Sequence, residues 1–158
     1  VDEHPFRTAW RTRDLDAWGE ALAPNVVLNS PLIRSPFTGR DTAVELFDVL
    51  FDVFGNFEVT EEFVAGESRS FFWQGEIGAR TIEGVDLIRH DTDGKIAEIT
   101  VSIRPLVSLA AFTAAIGPPL AGKRSRILAL VARVVTLPLI GLLTIVDLTA
   151  TRLAQRRA

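Results

Sequence analysis

Ile82-Glu83-Gly84-Val85-Asp86-Leu87-Ile88-Arg89-His90-Asp91-Thr92-Asp93-Gly94-Lys95-Ile96-Ala97-Glu98-Ile99-Thr100-Val101-Ser102-Ile103-Arg104 is the most informative segment of the chain. Two runs rich in β-branched residues flank Asp93-Gly94, a dipeptide whose glycine accepts a positive φ without steric cost, so the segment predicts a β-hairpin. The two-residue period of a strand puts Asp86, Ile88 and His90 on one face. An ionisable carboxyl is thereby set among apolar neighbours on a surface that should be buried. Such a group costs free energy unless it is paired or protonated.

Working outward, residues 3–23 read as helix in two pieces. Phe6 and Trp10 lie one turn apart, and Asp14 is placed to cap a second piece with Leu15, Trp18 and Leu22 on its inner face. Pro24-Asn25 is expected to end it. Val26–Ser30 predicts a short strand, and Pro31–Thr38, with two prolines, a loop. A helix from Asp41 or Thr42 to about Phe54 has apolar residues nearly all round it and should be buried on most sides. Residues 57–65 and 68–80 predict two more long strands. Helices first and a meander of strands later indicate an α+β fold, with helices covering one face of an antiparallel sheet.

The order of these pieces resembles the SnoaL-like members of the nuclear transport factor 2-like superfamily. The resemblance rests on the hairpin, the aromatic first helix leading to Arg13-Asp14-Leu15-Asp16-Ala17-Trp18, the strand Val26-Val27-Leu28-Asn29-Ser30-Pro31, and Gly39-Arg40-Asp41 ahead of the next helix. The similarity runs roughly from residue 3 to residue 116 and implies a curved sheet wrapped around the N-terminal helices as a cone with a pocket; the domain is taken as residues 1–116, and the composition of 117–158 marks an added basic, apolar helical tail.

Within that superfamily the ketosteroid isomerase site joins a helix-1 tyrosine and a protonated aspartic acid as an oxyanion hole, with a second aspartate moving the proton. By the resemblance, Asp86 falls on the protonated aspartic acid, Phe6 on the tyrosine and Ser30 on the proton-transferring aspartate. Phenylalanine donates no hydrogen bond and an unassisted serine is a poor base, so isomerase chemistry by that route is not expected. Asp86 remains the catalytic candidate, as a desolvated neutral donor or weak acid. The competing reading is a structural carboxylate satisfied by Arg104, Arg80 or a backbone amide. His90 is either a relay partner of Asp86 or a solvent-facing histidine at the hairpin end, the latter favoured. Phe6, Trp10, Ser30 and Ile88 are the candidate ligand-binding positions. His4, near the terminus, is expected to be exposed, and two histidines so far apart make a poor metal site. Neither a metal nor a cofactor is expected.

Composition narrows the function further. The 158 residues carry a formal charge of −3, but residues 1–105 hold 10 Lys+Arg against 19 Asp+Glu, and residues 106–158 hold 7 against 1. An acidic body argues against nucleic acid as a partner. The absence of cysteine excludes disulfides and thiolate chemistry. No nucleophile elbow or phosphate-cradling glycine loop is present. The amino terminus lacks a basic region followed by an apolar run, so a cytoplasmic location is expected, peripheral to a membrane through the tail.

Val107–Ile116 predicts a short apolar helix broken by Gly117-Pro118-Pro119. The 22 residues from Ile127 to Leu148 contain only Arg133 and Asp147 as charges and predict an apolar helix kinked near Pro138. Basic clusters flank it at 123–126 and 152–157, which suits an anionic membrane surface ahead of packing on the domain or a true span. Apolar side chains in both registers of the 68–80 strand predict a homodimer through the outer sheet face. Two functions follow. One is a pocket protein that takes an apolar, ring-bearing metabolite and performs acid–base chemistry on it through Asp86 or simply binds it. The other is a non-catalytic interaction or membrane module with a vestigial pocket.

Overall fold

The computed structural model describes residues 3–122, 141–149 and 152. Helices α1 (Pro5–Thr12) and α2 (Leu15–Ala21) lead into strand β1 (Leu22–Asn29); β2 (Phe37–Thr38) and helix α3 (Arg40–Val53) follow. Four long strands come next, β3 (Phe57–Ala65), β4 (Ser68–Ile77), β5 (Arg80–His90) and β6 (Ile96–Arg104), and then helix α4 (Leu106–Gly122). The strands form one six-stranded sheet in the order β2-β1-β6-β5-β4-β3. Every pairing is antiparallel except β1 with β6, which is parallel. That exception arises because β1 is separated from the meander by α3 and returns beside its last strand.

Local chemistry sets the boundaries. Asp14 accepts hydrogen bonds from the Asp16 and Ala17 amides at 3.1 and 3.0 Å, satisfying two free donors at the start of α2. The β5–β6 turn closes through Gly94, at φ 75°, whose amide donates to the Asp91 carbonyl, while Asp91 Oδ1 accepts from the Asp93 and Lys95 amides. One core joins the elements: Phe6 of α1, Trp18 of α2, Phe47 and Phe54 of α3, Phe71 and Trp73 of β4, Ile88 of β5 and Phe112 of α4. Phe71 and Trp73 point into it, whereas Phe72 between them is 43% exposed.

Several boundaries differ from the sequence-based expectation: the strand expected over 68–80 ends at Ile77, with Arg80 already in β5, and the expected 31–38 loop carries β2. Leu22 opens β1 rather than closing α2, because it is buried in register with Ile96 at the start of β6. Pro24 and Asn25 lie inside the strand, at the register shift between Leu22 and Val27, where a missing N–H is tolerated. Helix α4 runs through Pro118 and Pro119 instead of breaking at Gly117, so the expected boundary at 116/117 falls inside a helix. Ile116 and Pro118 are buried and Leu120 packs on the core; their burial offsets the hydrogen bonds the prolines cannot make.

The expected kink at Pro138 and the basic cluster at 123–126 lie outside the described residues, as does most of the 127–148 run. Residues 141–149 are helical, and among the described residues no helix is long and apolar enough to cross a membrane.

Candidate functional site

Between the inner sheet face and helices α3 and α4 lies a cavity of about 260 Å³. Its walls are apolar: Phe47, Leu50 and Phe54 from α3, Val101 and Ile103 from β6, Phe112 and Ile116 from α4, and Trp10 from α1. Of the lining residues Trp73 and Asp86 are buried, whereas Ile33 is half-exposed and Gly117 and Leu120 are partly exposed. The loop after β1 and the last turns of α4 therefore make the mouth.

Asp86 is the one ionisable side chain among the described residues that line this cavity, and it is 5% exposed. Trp73 Nε1 donates to its Oδ1 at 3.0 Å, and Oδ2 has no partner among the described residues. Neither Arg104 nor Arg80 reaches it, since Arg104 pairs with Glu83 and Arg80 donates to Thr144. Burial in an apolar wall disfavours the charged form and pushes the carboxyl up to about 7, against the weaker opposing pull of the Trp73 hydrogen bond. The group can thus be a neutral donor through Oδ2, and the carboxylate left after proton loss keeps one N–H bond.

Two further residues build this arrangement. Trp73 and Gly84 are cross-strand partners in the β4–β5 ladder, two residues from Asp86 on the same face. A methyl group at Gly84 would lie 2.2 Å from Trp73 Cζ2, so the missing side chain is what lets the indole lie flat across β5 and reach Asp86. Phe54 meets the same indole edge-on at 5.8 Å, and Phe57 packs beside it at 5.1 Å. The ring is held from three sides.

The candidate residues named from the sequence divide into three groups. Trp10, Ser30 and Asp86 line the cavity. Trp10 stacks on Phe57 at 3.7 Å, and its buried Nε1 has no partner among the described residues. Phe6 and Ile88 do not line it: both are fully buried in the core, Phe6 beneath Trp10, Trp18 and Phe71. His90 joins neither Asp86 nor the turn surface. It bonds His4 Nε2 to Nε2 at 2.9 Å, and His4 is 8% exposed, not the surface residue expected. The reason is that α1 docks its N-terminus on the end of β5, where Phe71 packs against the His4 ring at 4.8 Å. No group of three or more His, Cys, Asp or Glu side chains able to hold a metal occurs among the described residues.

Sequence reasoning missed Trp73 as the partner of Asp86, the role of Gly84, and the contribution of α4. A glycine inside a strand, two residues from a buried carboxyl, was the available signal for a close approach.

Comparison with curated proteins finds no match. Among solved structures, a steroid delta-isomerase from Pseudomonas aeruginosa is 27% identical with a TM-score of 0.71, over 76% of this chain and 89% of that one. An uncharacterised protein with a cystatin-like fold from Silicibacter pomeroyi is 24% identical with a TM-score of 0.68, over 71% of this chain and 79% of that one. The epoxide hydrolase/cyclase-like enzyme SalBIII of pyran ring formation in salinomycin is 22% identical with a TM-score of 0.55, over 63% of this chain and 84% of that one. The latter two share the fold. The model of the SnoaL-like domain matches residues 4–99, more than half of the chain, and this protein belongs to the SnoaL-like domain family.

Proposed function

We propose that the protein binds an apolar, ring-bearing small molecule in this cavity and presents the Asp86 proton to an oxygen of that molecule. The observation that carries the reading is a single buried carboxyl, half satisfied by Trp73, in the wall of a largely apolar cavity. Neutral Asp86 donates from Oδ2 to a carbonyl or ether oxygen and polarises it. If the proton moves to that oxygen, the carboxylate remains held by Trp73 and takes a proton back from the product. Trp10 Nε1 is a second buried donor in the wall.

The isomerase similarity supports an oxygen-bearing ring as the ligand class, but not the isomerase route. Ser30 lines the cavity where a second carboxylate would be needed, and Phe6 is in the core. Turnover of a β,γ-unsaturated ketosteroid would contradict this part of the reading. The ligand reading is tested by tryptophan fluorescence titration with a panel of ring ketones at pH 5.5 and 8.5. Binding should weaken at the higher pH in the wild type and not in Asp86→Asn. Equal affinity at both pH values would overturn the donor role.

A second reading concerns the tail, and it rests on the helical segment 141–149. Leu142, Ile145, Val146 and Leu148 are 54–64% exposed there and fall on one side at helical spacing, with exposed Arg152 one turn on. The segment therefore suits an anionic membrane surface, whether or not the cavity is occupied. On the outer sheet face, exposed Phe63 and Phe72, whose rings meet at 5.7 Å, suit a second copy of the chain.

A further inference from the structure

Away from the cavity, the start of α1 meets the far ends of β4 and β5 through two imidazoles whose protons can be placed from their partners. The Phe6 amide donates to His4 Nδ1 at 3.2 Å, so that nitrogen carries a lone pair and neutral His4 keeps its proton on Nε2. His4 Nε2 therefore donates to His90 Nε2 at 2.9 Å. His90 then holds its proton on Nδ1, which faces the Glu67 carbonyl at 2.9 Å. The three bonds run in one direction; the first requires a neutral His4 and the second a neutral His90, whereas the third is made by either form of His90. A proton added to His90 sets N–H against N–H. A proton added to His4 Nδ1 opposes the Phe6 amide and removes the N-cap of α1.

The charged groups around the pair do not rescue a protonated ring. Glu62 of β3 is held between Arg7 of α1, at 3.0 Å, and Arg69 of β4, at 2.8 Å, so its charge is already matched. Arg89, before His90, pairs with Glu98, and Asp91, after it, is used in the hairpin turn. The Glu67 side chain makes no bond to either ring; its carbonyl does. Burial, with the His90, Arg69 and Arg7 charges adding and Glu62 opposing, holds His4 down at about 4.

We propose that the His4–His90 contact is an acid-released clasp, closed only when both imidazoles are neutral, which frees α1 from the hairpin and with it the Trp10 wall of the cavity. Helix α1 carries both ends of the device, His4 at its cap and Trp10 in the cavity lining. The effect on a bound molecule rests on the proposed ligand site; the clasp does not, so the two are tested separately.

Hydrogen exchange of the full chain, followed by mass spectrometry at pH 7.5 and 5.0 and corrected for intrinsic rates, reads the clasp directly. Protection of residues 5–12 should fall about thirtyfold at pH 5.0, as expected for a histidine of ordinary affinity in the released state, with β5 and β6 unchanged. His4→Asn keeps a capping oxygen but neither titrates nor reaches His90, and should remove the pH dependence. Unchanged wild-type protection, or the same loss in His4→Asn, would overturn the proposal. Should the variant fail to fold, long-range nitrogen–proton NMR of the wild-type rings decides: His4 protonated on Nε2 with His90 on Nδ1 supports it, and the reverse tautomers refute it.

Discussion

Replacing Gly84 by alanine should damage the site without touching Asp86 itself. The added methyl would stand 2.2 and 2.6 Å from Trp73 Cζ2 and Cε2 and 2.8 Å from the Ser102 carbonyl, none of which is the free end of a flexible chain. The indole has little room to retreat, with Phe54 edge-on to it and Phe57 beside it. Overpacking of a close core costs about 1–3 kcal/mol, and giving up a buried hydrogen bond to a carboxyl costs roughly 1–3 kcal/mol more. A loss of about 3 kcal/mol is expected, read as a lower urea midpoint at unchanged slope. The near-ultraviolet dichroism should lose intensity as Trp73 leaves its fixed setting. Asp86 should titrate higher still, because the bond that opposes its desolvation is gone. Gly78→Ala is the control: it has a positive φ of 60° but no atom near the new methyl, so about 1 kcal/mol of backbone strain is all that it adds. Equal midpoints for the two variants, with the tryptophan dichroism of Gly84→Ala intact, would show that the bare backbone at Gly84 does not hold Trp73 on Asp86.

Three other outcomes are expected. The Asp86 carboxyl is raised from 3.8 to about 7, so its contribution is complete below pH 3.8 and lost as the pH rises through 7; Asp86→Asn should gain up to about 4 kcal/mol over wild type at pH 8.5 and none at pH 3.5, measured by urea unfolding. His4 titrates alike in both proteins and drops out of that difference. Flotation with anionic vesicles should carry the full chain upward, and Leu142→Glu with Ile145→Glu should leave it in the dense fraction; equal flotation of both would rule out the tail as the contact. Sedimentation at micromolar concentration should show a dimer that Phe63→Glu with Phe72→Glu converts to a monomer, and a wild-type monomer would remove the outer-face interface.

Local signals made most of the fold legible. The Asp93-Gly94 turn, the alternation in β5 and β6, the Asp14 cap and the all-round apolar α3 each act within a few residues, where sequence pattern and conformation are directly linked. Leu22, Pro24 and the two prolines of α4 were misread because their conformations follow from partners far along the chain: Ile96 for Leu22, and the shared core for Ile116, Pro118 and Leu120. The site divides in the same way. The two-residue period placed Asp86 and Ile88 on the buried face, but it carried no information on which buried positions border empty space. Phe6 and Ile88 are accordingly core rather than lining. Cross-strand register determines that Trp73 lies over Gly84, and helix docking determines that His4 meets His90; neither is visible in a linear pattern.

The most direct measurement is the carbon-13 NMR titration of the Asp86 carboxyl in the full chain, free and with a bound ring ketone. The midpoint should lie near 7 in the free protein and move upward when the ligand oxygen accepts the Oδ2 proton and the mouth is filled. A midpoint near 4, unmoved by a ketone that binds elsewhere on the protein, would contradict the donor role of Asp86.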